Sequence, residues 1–226
     1  MNVNVSENMS SVSADYDKIY TGIRYFQGGR EGVFVIDDSD YDDNTTWSVN
    51  FIPLGGTGPD QILSDKRNSV YASLKDDNLI AVFDGGSGNI KEKIIIQEPR
   101  AMSINPSAGL LYVSSGDSRW FNVIDTDTNK VVAANTQISH PIASIANHKT
   151  DRVYVANCLQ CDRNDYTNGT SLHELNVDGS TINRENYENI NFYENKLAIN
   201  PDINKLYALG TEVQSKKPTL YIIDIS

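Results

Sequence analysis

The chain has 226 residues, 39% hydrophobic and 22% charged, the balance of a folded soluble domain rather than a disordered one. Its 30 acidic and 19 basic residues give a formal charge of −11 without a basic stripe, which excludes a phosphate-binding surface for nucleic acid and docking on anionic membranes. No apolar run reaches the ~18 residues of a membrane-spanning helix, so no membrane insertion is predicted.

Read in chain order, the sequence returns five times to one pattern. A short alternating apolar segment runs into a turn, and a second segment carrying a tyrosine follows. The copies are MSSVSADYDKIY to Tyr20, DQILSDKRNSVY to Tyr71, AMSINPSAGLLY to Tyr112, IASIANHKTDRVY to Tyr154 and KLAINPDINKLY to Tyr207. The tyrosines are spaced by 51, 41, 42 and 53 residues, so the period lies near 42 with insertions in the first and fourth copies. The turns SAD, SDKRN, NPSAG, NHKTD and NPDIN hold the residues that hairpins demand.

A third strand follows each tyrosine: GVFVIDD, LIAVFDG, FNVIDTD, SLHELNV and LYIIDIS. Four of them close on an aspartate, at Asp37, Asp84, Asp125 and Asp224, whose side chain can bond its own downstream backbone; the fourth copy has Asn176 or Asp178 there. A fourth strand is read in TTWSVNFIPL, IKEKIIIQ, KVVAANTQI and TINRENYENINF. Four short antiparallel strands repeated every ~42 residues predict an all-β chain, a β-propeller, because the same supersecondary unit must stack on its neighbours to bury its faces. The stretch from Ser103 to Ala134, SINPSAGLLYVSSGDSRWFNVIDTDTNKVVAA, resembles a YVTN-family propeller repeat, and IASIANHKTDRVYVAN and LAINPDINKLYALG match its first half. That resemblance implies a propeller of the kind found in bacterial and archaeal surface proteins.

The expected domain is the whole chain, 1–226, with blades at about 9–58, 59–99, 100–140, 141–194, and 195–226 plus 1–8. The fifth copy has only three strands, and Val3-Asn4-Val5 supplies the strand that would complete it and close a five-bladed ring. The alternative, an open five-bladed piece of a larger ring such as the seven-bladed one that the resemblance implies, would expose two blade faces. The start MNVNVSENMSS lacks a basic and an apolar leader region, so an excised mature domain points to the cell surface and an intact chain to the cytoplasm.

The candidate chemistry is sparse. Cys158 and Cys161 form the only CxxC, two thiols where a structural zinc site needs four ligands, and are read as a local disulfide or two thiols stiffening a loop. Asp38, Asp40 and Asp42 form a D-x-D-x-D run that could turn carboxylates toward calcium; it lacks the glycine and closing glutamate of an EF-hand, and a solvated hairpin tip is the simpler reading. No other cofactor is expected. With three histidines, His140, His148 and His173, and neither a nucleophile elbow nor a phosphate loop, nothing assembles a catalytic pair. Glu98, Arg100, His140 and Asn195 lie near the starts of first strands, where a propeller faces its central channel, and are the candidate ligand contacts. The in-phase tyrosines are expected to pack between blades, as is Trp120, which if exposed would instead point to glycan or protein contact. Sequons at Asn4, Asn8, Asn44 and Asn168 are of the number chance gives. The chain therefore reads as a non-enzymatic module recognising a protein, glycan or small ligand. The alternative is a lactonase-like hydrolase or lyase with a divalent cation in the channel.

Overall fold

The computed structural model describes residues 9–15, 18–23, 31–37, 48–54, 56, 58–65, 67–116, 120–159 and 169–226. These residues form five antiparallel sheets, each a meander in which every strand pairs with the next in sequence. The first sheet holds β1 (Met9–Asp15), β2 (Lys18–Ile23), β3 (Gly32–Asp37) and β4 (Ser48–Pro53). The second holds β5 (Gln61–Ser64), β6 (Ser69–Leu74), β7 (Leu79–Asp84) and β8 (Ile90–Ile95). The third holds β9 (Pro99–Asn105), β10 (Leu110–Ser115), β11 (Trp120–Asp125) and β12 (Lys130–Asn135). The fourth holds β13 (Pro141–Asn147), β14 (Arg152–Cys158), β15 (Thr170–Asn176) and β16 (Thr181–Tyr187). The fifth has three strands, β17 (Ile190–Asn200), β18 (Lys205–Glu212) and β19 (Pro218–Asp224). Among the described residues no helix is long and apolar enough to cross a membrane.

Local chemistry explains the meanders. The residue immediately before the second strand is left-handed in four sheets: Asn68 (φ 64°), Gly109 (66°), Asp151 (53°) and Asn204 (51°). Asparagine, aspartate and glycine tolerate that conformation best, which is why each first turn ends on one of them. Four of the five third strands stop at an aspartate, and β15 stops at Asn176. Asp84 Oδ1 accepts the backbone N–H groups of Gly86 (3.1 Å) and Ser87 (2.8 Å), and Asp125 Oδ1 accepts those of Asp127 (3.1 Å) and Thr128 (2.7 Å). The bonds to Ser87 and the nearby Lys91 hold the Asp84 carboxyl far below the usual carboxylate range.

The chain divides into two compact units, Met1–Pro99 and Arg100–Ser226, at the boundary between the second and third repeats. In the first unit one apolar cluster joins two sheets: Tyr20, Val33, Val35 and Ile52 pack with Ile62, Val70, Ala72 and Phe83. Tyr20 meets Phe83 edge-on at 6.4 Å between ring centres, and its hydroxyl donates to the carbonyl of Gly85 (3.4 Å). In the second unit Tyr112, Phe121 and Val123 of the third sheet pack on Val153, Val155 and Leu175 of the fourth. The Tyr112 hydroxyl donates to the carbonyl of Val177 (2.9 Å), and burial raises its pKa far above the ordinary tyrosine value. The two contacts repeat one device: a second-strand tyrosine bonds the peptide that follows the third strand of the next sheet. Ile142, Ala143, Ala156 and Cys158 of the fourth sheet meet Phe192 and Ala208 of the fifth in a further cluster.

Several expectations are corrected or relocated. Trp120, expected between sheets, is 51% exposed, because it occupies the first position of β11, ahead of the stretch Phe121–Ile124 that the core covers. The strand read over TINRENYENINF divides at a turn at 188–189, so β17 begins at Ile190, ahead of the boundary placed at 194/195. Asn195 therefore lies within β17 rather than at its start, in the stretch between Phe192 and Leu197 where the register shifts. Tyr20, Tyr71, Tyr112 and Tyr154 are buried, whereas Tyr207 is only half-buried. Val3–Val5, Asp38, Asp40, Asp42, Cys161 and the four sequons lie outside the described residues.

Candidate functional site

Two of the first-strand positions are held in a strained backbone. Glu98 (φ 45°) and His140 (φ 54°) each precede a proline that opens a first strand, Pro99 and Pro141, and Gly58 (φ 83°) precedes Pro59, just ahead of β5. A left-handed residue before proline is disfavoured on two counts, and only at Gly58 is the side chain absent. The sequence carries this signal as GPD, EPR and HPI, one at the head of each of three repeats. At Glu98 the strain is offset by a bond from its N–H to Asn78 Oδ1 (2.9 Å); at His140 the carbonyl accepts the Cys158 N–H (3.2 Å).

Within the second unit the structure joins the first strands of the third and fifth sheets. Arg100 Nη1 of β9 donates to Glu194 Oε1 of β17 at 2.8 Å. The guanidinium passes over Gly116, where an added Cβ would stand 2.3 Å from Arg100 Nε, so a larger residue there would displace the Arg100 side chain. Arg100 was read from the sequence as a ligand contact; its partner Glu194 was not, because the bulge in β17 cannot be counted from residue spacing. Glu98 belongs to the other unit.

Cys158 ends β14, is buried and is disulfide-bonded; the only other cysteine of the chain is Cys161. Among the described residues no group of three or more His, Cys, Asp or Glu side chains is placed to hold a metal ion.

A polar pair that the sequence reading missed lies on β14 and β15. Ser171 Oγ accepts a bond from Asn157 Nδ2 (3.1 Å) and stands 3.1 Å from His173 Nε2, which leaves its hydroxyl proton for the imidazole. Burial, and then the charge of Arg184, pushes His173 down to about 4, so the ring is neutral at pH 7. The pair has the outline of a nucleophile and its base. Ser171 is 0% exposed, however, so no substrate reaches it, and the group acts as a polar plug in the face that meets the third sheet. The alternation S-x-H on one strand face was the legible signal.

The second unit also contains a cavity of about 430 Å³ between the fourth sheet and the end of β19. Arg152, Glu174, Asn183 and Glu185 supply its polar wall, and Tyr154, Leu172, Ile223 and Ile225 its apolar one. Arg152 Nε stands 3.5 Å from Glu174 Oε1, and Arg152 Nη1 donates to Asn176 Oδ1 (3.0 Å), so the cation is fixed in place. Tyr154 is the in-phase tyrosine of the fourth sheet. Its phenol is pushed up to about 12, chiefly by burial and then by Glu174, so it stays a neutral donor. The carbonyl matching those of Gly85 and Val177 belongs to Ile225, which lines the cavity with Tyr154 instead of accepting its proton. Neutral donors, fixed charges and an apolar floor in one recess suit recognition of a polar group by hydrogen bonds.

No family model matches the chain, and no curated protein matches it. The resemblance to YVTN repeats therefore rests on the residues that carry it. In three dimensions the chain is similar to hydrazine synthase of Kuenenia stuttgartiensis, with a TM-score of 0.77 and 11% identity over 100% of this chain and 67% of that one. It is also similar to a chain of the mitotic checkpoint complex, with a TM-score of 0.70 and 12% identity over 94% of this chain and 62% of that one. The chain thus spans about two thirds of the length of these neighbours. At such identities the likeness carries the fold alone, and the fold is that of a β-propeller.

Proposed function

We propose that the protein is a binding module, a propeller-type scaffold that recognises a protein or glycan rather than transforming it. The observation that carries this reading is the cavity of about 430 Å³ beside β19, where the neutral Tyr154 phenol, the fixed Arg152–Glu174 pair and Asn183 converge on one recess. Every member of that set can hold a hydroxyl, amide or carbonyl group through hydrogen bonds. The channel contacts expected at Arg100 and His140 are secondary in this reading, since Arg100 is already engaged by Glu194. That a structural neighbour comes from a multiprotein complex is in keeping with a protein partner.

The test is to screen the purified chain against an immobilised glycan panel and a displayed peptide panel, and to repeat the best hit with Tyr154→Phe and Asn183→Ala. Each variant is expected to bind at least about tenfold more weakly with its melting temperature held. A hit that neither variant weakens would place recognition elsewhere, and the absence of hits in both panels would remove the reading.

A further inference from the structure

The repeat assigns each sheet two apolar faces, and on the fifth sheet the fate of one differs from its equivalents. Tyr20 and Tyr112 sit on faces covered by the next sheet, and both phenols donate to a carbonyl of that sheet. Tyr207 is the same position of the fifth repeat, in register with Ala198 on β17 and Ile222 on β19. Its hydroxyl has no acceptor among the described residues. Beside it, Leu209 is paired with Leu220, and Leu209, Leu220 and Ile222 are 37%, 57% and 62% exposed. The alternate residues of the same strands, Leu206, Ala208 and Ile223, pack against the fourth sheet. The exposure thus belongs to one face and not to the whole sheet. Contiguous apolar side chains on a sheet face are costly in water and mark contact surfaces.

The covered faces show what fits there. On Tyr112 sit Val153 and Val155, which flank the tyrosine of the next sheet, with Leu175 across the ladder from Val153. The first sheet carries the same set: Ile19 and Thr21 flank Tyr20, and Ile36 and Phe34 lie across the ladder from them. These four are half-buried, while their alternates Tyr20, Val33 and Val35 are buried in the cluster of that unit. One chain therefore carries both halves of a sheet-on-sheet contact, the tyrosine half on the fifth sheet and the flanking half on the first.

We propose that the Tyr207, Leu209, Leu220 and Ile222 face is a docking surface for a second copy of this chain, which enters it with the Ile19, Phe34 and Ile36 face of its first sheet. The contact is heterologous: two different faces meet, so a dimer retains one free face of each kind and can grow. A formal charge of −11 on each copy opposes association at long range, so salt, which screens the charge and strengthens apolar burial, promotes it.

Sedimentation equilibrium of the whole chain over a range of protein and salt concentrations tests this. The expected result is a mass that rises with both. Ile222→Asp and Ile36→Asp are each expected to weaken self-association at least about a hundredfold, with melting temperature and circular dichroism retained. Mixing these two variants should restore dimers and nothing larger, because one intact face of each kind remains in the mixture. A parent chain that stays monomeric throughout would overturn the proposal. So would an Ile36→Asp chain that associates like the parent, the result expected if the fifth sheet met its own copy or another surface. Tyr207→Phe, which keeps the ring, should weaken association only several-fold.

Discussion

The face between the third and fourth sheets and the outward face of the fifth sheet are built from the same repeat positions and have different fates. At the first, Tyr112, Phe121 and Val123 are sealed by Val153, Val155 and Leu175, and the phenol finds the Val177 carbonyl. At the second, Tyr207, Leu209, Leu220 and Ile222 keep the pattern without the cover. The difference teaches that the repeat specifies a strand, its turn and its alternation, while burial is a property of the neighbour.

The largest effect that separates the two regions is side-chain deletion. Tyr112→Ala should cost about 3–5 kcal/mol, from lost burial and the cavity left behind, whereas Tyr207→Ala in dilute solution should cost less than about 1 kcal/mol. Urea unfolding midpoints measure both, and equal costs would mean that Tyr207 is covered under those conditions. The next effect is titration of His173 within the sealed face. The unfolded side chain protonates near 6.5 and the folded one near 4, so between those values the unfolded state binds more protons. Stability is therefore complete above pH 6.5 and falls as the pH drops toward 4, by on the order of 2 kcal/mol. His173→Gln should flatten that part of the profile relative to the parent, and an unchanged slope would show that the ring is hydrated.

Smaller effects sharpen the comparison. Tyr112→Phe removes one hydrogen bond and keeps the packing, for a loss of about 1 kcal/mol; Tyr20→Phe should cost less, since its bond is longer, 3.4 Å against 2.9 Å. Smallest is the relief of strain. His140→Gly and Glu98→Gly should each raise stability by about 0.5 kcal/mol, the left-handed cost removed less the entropy glycine adds to the unfolded chain. A loss instead would show that the side chains carry packing that outweighs the backbone.

Much of the fold was legible in residue order because its determinants are local. The left-handed positions before the second strands are Asn, Gly or Asp, the third strands stop at an aspartate or, in the fourth sheet, at Asn176, and the in-phase tyrosines marked the second strands. The three strands that the fifth copy itself supplies also followed from counting, while the strand expected at Val3–Val5 to complete that sheet lies outside the described residues. The failures have a common physical cause. Trp120 resembles a core residue by type, yet its place at a strand end leaves it in water. The Arg100–Glu194 pair joins residues 94 positions apart through a bulge that shifts register, and composition holds no record of a bulge. Ser171 and His173 stood two apart on one strand, but only the buried setting made them a pair.

The sequence by itself determined the all-β class, the period, the turns and which residues alternate, since these follow from backbone preferences and side-chain patterning within a few residues. The tertiary structure alone decided which faces are sealed, where Arg100 finds its partner, and that a recess of about 430 Å³ opens beside Tyr154. Those outcomes depend on how distant strands approach one another, and the free energy of a buried contact belongs to both of its sides.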